Sequence, residues 1–171
     1  TVPITADLKG AKKSPTDPAT TKSGGEVGFF LVDNLTGAIG ALQPGAAGYA
    51  AAALARAQVL FANGAAVNNS TTLNLTGGQF LVFYYVPNGT SAGVRASNPT
   101  NSATGSPVAY FSITAANTDG KAHARYTDPE GVGRKTVPGE TEPYQVHMMG
   151  KVNGTAADFD DVNFTVKFTA S

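Results

Sequence analysis

"TVPITADLKG", residues 1–10, is the stretch on which the reading of the fold turns. Val2, Ile4, Ala6 and Leu8 alternate with Thr1, Pro3, Thr5, Asp7 and Lys9, the period-two pattern of a strand with one buried face. No hairpin turn follows. Residues 11–25, "AKKSPTDPATTKSGG", form a polar run without an apolar face. The pattern predicts an arm strand over 1–9, a polar linker over 10–25 and one domain over 26–171, a length sufficient to bury a real core.

Beyond the linker, "EVGFFLVD" (26–33) reads as a buried strand and "NLTG" as its turn. "LQPGAAGYAAAALARAQVLFANG" (42–64) reads as the one helix. Ala50, Leu54, Ala57 and Phe61 recur in it at helical spacing, and Asn63-Gly64 supply a stop. "TTLNL" and "QFLVFYYVP" flank Gly77-Gly78 as a hairpin would, and "NGTSAGVRASNPTNSATGS" reads as a long surface loop. "PVAYFSIT" and "KAHARYT" bracket a turn at Asp119-Gly120; "YQVHMM" and "DVNFTVKFT" close the series. Seven or eight short strands and one helix predict a mainly β protein, a jelly-roll-like β-sandwich with an extended N-terminal strand.

Composition agrees. Only 14% of residues are charged, with 20 Gly and 10 Pro, which suits a turn-rich β protein. The formal net charge is zero, without the basic footprint of a nucleic-acid binder. No apolar run approaches membrane-spanning length. Without Cys, neither a disulfide nor a thiolate metal site is available. The chain starts at Thr1 rather than Met, as a mature product does after loss of a signal peptide and as a trimmed chain also does. Asn34, Asn68, Asn69, Asn74, Asn88, Asn153 and Asn163 each begin an Asn-x-Ser/Thr sequon. Seven is dense against the roughly 2 that this composition yields by chance, so each is a glycosylation candidate.

The segment from Gly24 to about Asn117 resembles the domain of unknown function 4114 family, a secreted and cell-surface β-rich bacterial module. The words that carry the likeness are "GGEVGFFLVD", "TGAIGALQPGAAGYAAAALARAQVLF", "NLTGGQFLVFYYVPNGTSA", "ASNP" and "AYFSITAANTDG", with a resumption at "ADFDD". The resemblance implies a module of adhesin-like proteins with no established enzymatic activity. It also implies a calcium-binding loop. Of that loop this chain keeps Asp158, Phe159, Asp160 and Asp161, and it departs from the family with Tyr144-Gln145-Val146 and Ala156.

Calcium takes six to eight oxygen ligands. Asp158, Asp160 and Asp161, with Asn153 and nearby carbonyls, offer part of such a shell, and Glu26 joins them because "GGEVGFF" recurs in the family. His123 and His147 are the only imidazoles, and no zinc-ligand spacing or nucleophile elbow accompanies them. The expected protein is therefore not an enzyme. Tyr84, Tyr85, Tyr110, Tyr126 and Tyr144 suit a sugar-stacking platform or, more simply, sheet faces.

A terminal strand on a long polar linker can pair within its own domain, stay disordered or pair with another molecule; its clean alternation favours donation, with Val2, Ile4, Ala6 and Leu8 completing a neighbour's sheet. Donor and acceptor on different faces give a head-to-tail filament of identical copies. The expectation is a structural subunit of an extracellular or cell-surface filament. The alternative is a calcium-assisted adhesion or glycan-binding module of a secreted glycoprotein.

Overall fold

The computed structural model describes residues 2–9, 22–76, 78–127, 144–148 and 161–168. The predicted alternation is present where the chain is sandwiched once. Ala6 and Leu8 in β1 (Val2–Lys9) and Val162, Phe164 and Val166 in β9 (Val162–Phe168) are buried, with half-buried residues between them. The intervening elements are β2 (Gly25–Val32), α1 (Tyr49–Ala55), β3 (Gln58–Phe61), β4 (Ser70–Leu75), β5 (Phe80–Pro87), α2 (Ser91–Ser97), β6 (Tyr110–Phe111), a 3-10 turn at Thr114–Ala116, β7 (Ala124–Thr127) and β8 (Tyr144–Met148).

Two antiparallel sheets form a β-sandwich. One has the order β4-β1-β9-β8-β7, the other β3-β2-β5-β6. The chain crosses between them at β1–β2, β3–β4, β4–β5 and β6–β7. Between the sheets lie Ala6, Leu8, Val27, Phe29, Phe61, Phe83, Tyr85, Val146, Met148, Val162, Phe164 and Val166. Phe164 meets Phe83 and Phe61 edge-on, with ring centroids 5.3 and 6.2 Å apart, which locks one sheet to the other.

The four-stranded sheet has a second core on its other face. Phe30, Val32, Val82, Tyr84 and Val86 pack there against Tyr49, Ala53 and Leu54 of α1, Val94 of α2, and Ala109, Phe111 and Ala116. A sheet covered on both faces reads as a continuous apolar run, which is why "EVGFFLV" and "FLVFYYV" show no alternation.

Several expectations need correcting. The helix is seven residues long, and "QVLF" forms β3, paired with β2, because β-branched and aromatic residues there fill a sheet position. "SAGVRAS", within the expected loop, is the helix α2, begun by Thr90, whose side chain accepts Gly93 N–H at 2.9 Å. β4 and β5, like β6 and β7, belong to different sheets, so neither pair forms the expected hairpin. Lys22 already bridges Ala66, and Ser23 exchanges backbone hydrogen bonds with Ala65 and Gly64.

Candidate functional site

The arm strand lies in the interior of its own chain's sheet. β1 pairs with β4 from Val2↔Leu75 to Asp7↔Ser70, and with β9 from Ile4↔Phe168 to Lys9↔Asn163. Val2, Ile4, Ala6 and Leu8 thus share an interior strand of this chain's own sheet. Leu8 N–H bonds Asn69 C=O at 2.9 Å, so even-numbered residues of β1 turn their backbone groups to β4 and odd-numbered ones to β9. Pro3 therefore faces β9, whose ladder with β1 ends at the Ile4↔Phe168 pair. Its missing N–H removes no rung, which explains a proline inside a sheet.

Glu26 is buried on the outer face of the four-stranded sheet, opposite in sense to its neighbour Val27. Its Oε1 accepts from the Tyr84 hydroxyl at 2.7 Å and from Ser91 N–H at 3.0 Å, the first amide of α2. Gly28 makes this possible. A Cβ there would stand 2.5 Å from the Tyr84 hydroxyl and 2.3 Å from Gln58 C=O, so only glycine lets the Tyr84 side chain cross β2 to reach Glu26. The carboxylate works as a brace between β2, β5 and α2.

Asp161 lies at the start of β9, in the other sheet, where its charge acts on the Tyr85 hydroxyl. Burial between the sheets is the larger cause of that hydroxyl's upward shift. Since Tyr85 belongs to the inner core and Glu26 to the outer face, the four-stranded sheet separates Glu26 from Asp161. Asp158, Asp160 and Asn153 lie outside the described residues. No group of three or more His, Cys, Asp or Glu gathers among the described ones.

Neither adjacent tyrosine of "FYYV" faces out: Tyr84 and Tyr85 are buried on opposite faces of a doubly covered sheet, and Tyr110 is buried too. The side chains of Tyr126, Tyr144 and His147 lie outside the described residues. Of the sequons, Asn34, Asn68, Asn69, Asn74 and Asn88 are exposed, and Asn163 is half-buried in β9. Asn153 lies outside the described residues.

Sequence reasoning missed two polar arrangements. His123 is fully buried, stacks on Tyr110 with centroids 4.1 Å apart, and meets Asp119 Oδ2 through Nε2 at 2.7 Å. Asp119 lies four residues upstream, a spacing visible in "DGKAH" had carboxylates before the histidine been counted. The second arrangement is a pair of asparagines. Asn101 exchanges two hydrogen bonds of 2.8 Å with the backbone of Ala109. Asn117 does the same with Phe111, at 2.6 and 3.0 Å.

These features define a mainly β, two-sheet sandwich whose polar interior groups brace strands, helices and edges. Against family models, curated proteins and solved structures the chain gives no match.

Proposed function

We propose that this chain is a non-catalytic structural subunit of an extracellular assembly, and that copies join head-to-tail by exchanging β1. The observation that carries the reading is the place of β1. It is the ladder partner of β4 and the link from β4 to β9, so its departure opens a slot along the length of the sheet. Residues 10–21 separate it from the anchored Lys22, and twelve residues reach roughly 40 Å. A neighbour's β1 enters the same slot in the same register, because it is the same sequence. The buried Glu26, Asn98, Asn101, Asn117 and His123 all hold strands, helices or turns in place, as a building block requires. The resemblance to a secreted module and the seven sequons support the extracellular setting.

The chain has no Cys, which makes the test clean. Thr5 Oγ1 and Thr72 Oγ1 are 3.4 Å apart across β1 and β4, close enough for a disulfide between cysteines at these positions. Chains carrying Thr5→Cys alone are mixed with chains carrying Thr72→Cys alone, then oxidised. Exchange gives a covalent Thr5→Cys/Thr72→Cys heterodimer. A Thr5→Cys, Thr72→Cys double variant that closes only within itself, with no heterodimer from the mixture at any concentration, would overturn the reading.

A further inference from the structure

The two sheets treat their edges differently. At β6 the outward backbone groups of Ala109 and Phe111 are taken by the side-chain amides of Asn101 and Asn117. β4 has no such cover among the described residues. Its odd-numbered residues face β1, as the Leu8–Asn69 bond fixes. Ser70, Thr72 and Asn74 therefore turn their N–H and C=O groups to the open side. Their side chains are exposed, while Thr71, Leu73 and Leu75 are half-buried.

Natural edges are defended by charge, proline, bulges or brevity. "STTLNL" is six residues without a charge or a proline, and its register with β1 is unbroken from Val2↔Leu75 to Asp7↔Ser70. It is also compatible with itself. In an antiparallel pair about a two-fold axis, Thr72 faces Thr72 of the other copy and Ser70 faces Asn74. Thr–Thr is a favourable cross-strand pair. No like charges meet, as they would at a self-facing Lys or Glu.

We propose that β4 is a self-association edge, at which two copies of this chain pair β4 to β4 around Thr72 and join their five-stranded sheets into one. The occupant is a second copy because each side supplies the same three outward donors and acceptors, and an isologous contact satisfies both sets at once. The inference is independent of β1 exchange, which leaves β4 at the edge in either state.

The test uses the full chain made in a host without N-glycosylation, since a glycan on Asn74 would stand on this edge. Sedimentation equilibrium is measured for the wild type, Thr72→Lys, Thr72→Glu and an equimolar mixture of the two variants. Thr72 is exposed, so both variants fold. Each variant alone places like charges opposite each other and should self-associate roughly tenfold more weakly. The mixture, with opposite charges facing, should recover the wild-type mass. Equal masses for all four samples, or a monomeric wild type, would overturn the proposal.

Discussion

The hydroxyl of Tyr84 donates to Glu26 Oε1 at 2.7 Å across Gly28, on the outer face of the four-stranded sheet. Burial raises the Tyr84 hydroxyl far above its ordinary range, and the bond to Glu26 adds to the shift. Ser91 N–H reaches the same oxygen. One carboxylate oxygen thus joins two strands to a helix, and the first predictions concern that junction.

Glu26→Ala removes the acceptor that the buried Tyr84 hydroxyl and Ser91 N–H share, a loss of about 2–4 kcal/mol. Glu26→Gln keeps an oxygen in place and should lose about 1–2 kcal/mol. Urea denaturation with calcium and with a chelator separates the two roles. A brace predicts equal losses in both buffers; a loss confined to the calcium buffer would make Glu26 a metal ligand.

Gly28→Ala sets a methyl group against Gln58 C=O and the Tyr84 ring edge. Overpacking of this kind costs about 1–3 kcal/mol. Adding Tyr84→Phe removes the hydroxyl contact but not the carbonyl one, so the double variant should not regain the stability of Tyr84→Phe alone. Full recovery would mean that the backbone between β2 and β3 yields freely.

Tyrosine titration offers a pH test. Burial pushes Tyr49 up to about 12 from 10.0, with Arg56 opposing, and it also raises Tyr85 and Tyr110 alongside Tyr84. A group whose folded value is raised contributes stability that is complete below its unfolded value and fades as pH rises through the folded one. Stability should therefore hold to pH 10 and fall between 10 and about 12. Tyrosinate absorbance should rise together with loss of the near-ultraviolet dichroism. Independent titration of these tyrosines near pH 10 in an intact fold would contradict their burial.

Asp119 predicts the acid limb. Burial alone would raise its carboxyl, but Lys121 N–H and the His123 ring outweigh that and hold it below 3.8. A lowered carboxyl stabilises the fold above its unfolded value, and the contribution is lost as pH falls through the folded one. The stability gap between wild type and Asp119→Asn should be constant above about pH 5 and close below 3.8. A gap that persists in strong acid would mean the aspartate acts through packing alone.

How far these features were legible differs by layer. β1 and β9 face the core on one side, so alternation revealed them. β2 and β5 are buried on both sides, so length and turn signals identified them, while their faces stayed hidden. The apolar spacing of Ala57 and Phe61 fits a helix as well as it fits the end of β3. Only pairing with β2 settles it. The turns after β4 and β6 look like hairpin turns because local chemistry is the same whether a chain reverses within a sheet or crosses to another. Glu26 stood out in the sequence only as a calcium-ligand candidate, because its hydrogen-bond partners, Tyr84 and Ser91, lie 58 and 65 residues away. The strand slot for β1 depends on β4 and β9, both likewise far along the chain.

The edge at β6 gives the last prediction. Ser112 N–H bonds Phe83 C=O at 2.9 Å, so Phe111, one residue earlier, points its own N–H and C=O away from β5. Asn117 Oδ1 accepts that N–H, and its Nδ2 donates to that C=O and to Lys121 C=O at 2.9 Å. The side chain thus stands in for a fifth strand at one rung. Asn117→Ala uncovers a buried donor and acceptor, which should cost about 2–4 kcal/mol. It also opens a sheet edge to other chains. Asn117→Asp keeps the acceptor but turns a carboxylate toward two carbonyl oxygens, so it should be no better than alanine. Thr118→Ala, at an exposed neighbour, should stay within about 0.5 kcal/mol of wild type. Thermal melts monitored together with light scattering should show both Asn117 variants melting earlier and scattering more on heating. Lower melting without added scattering would leave Asn117 a turn brace and remove its role as an edge guard. Unchanged melting would refute both roles.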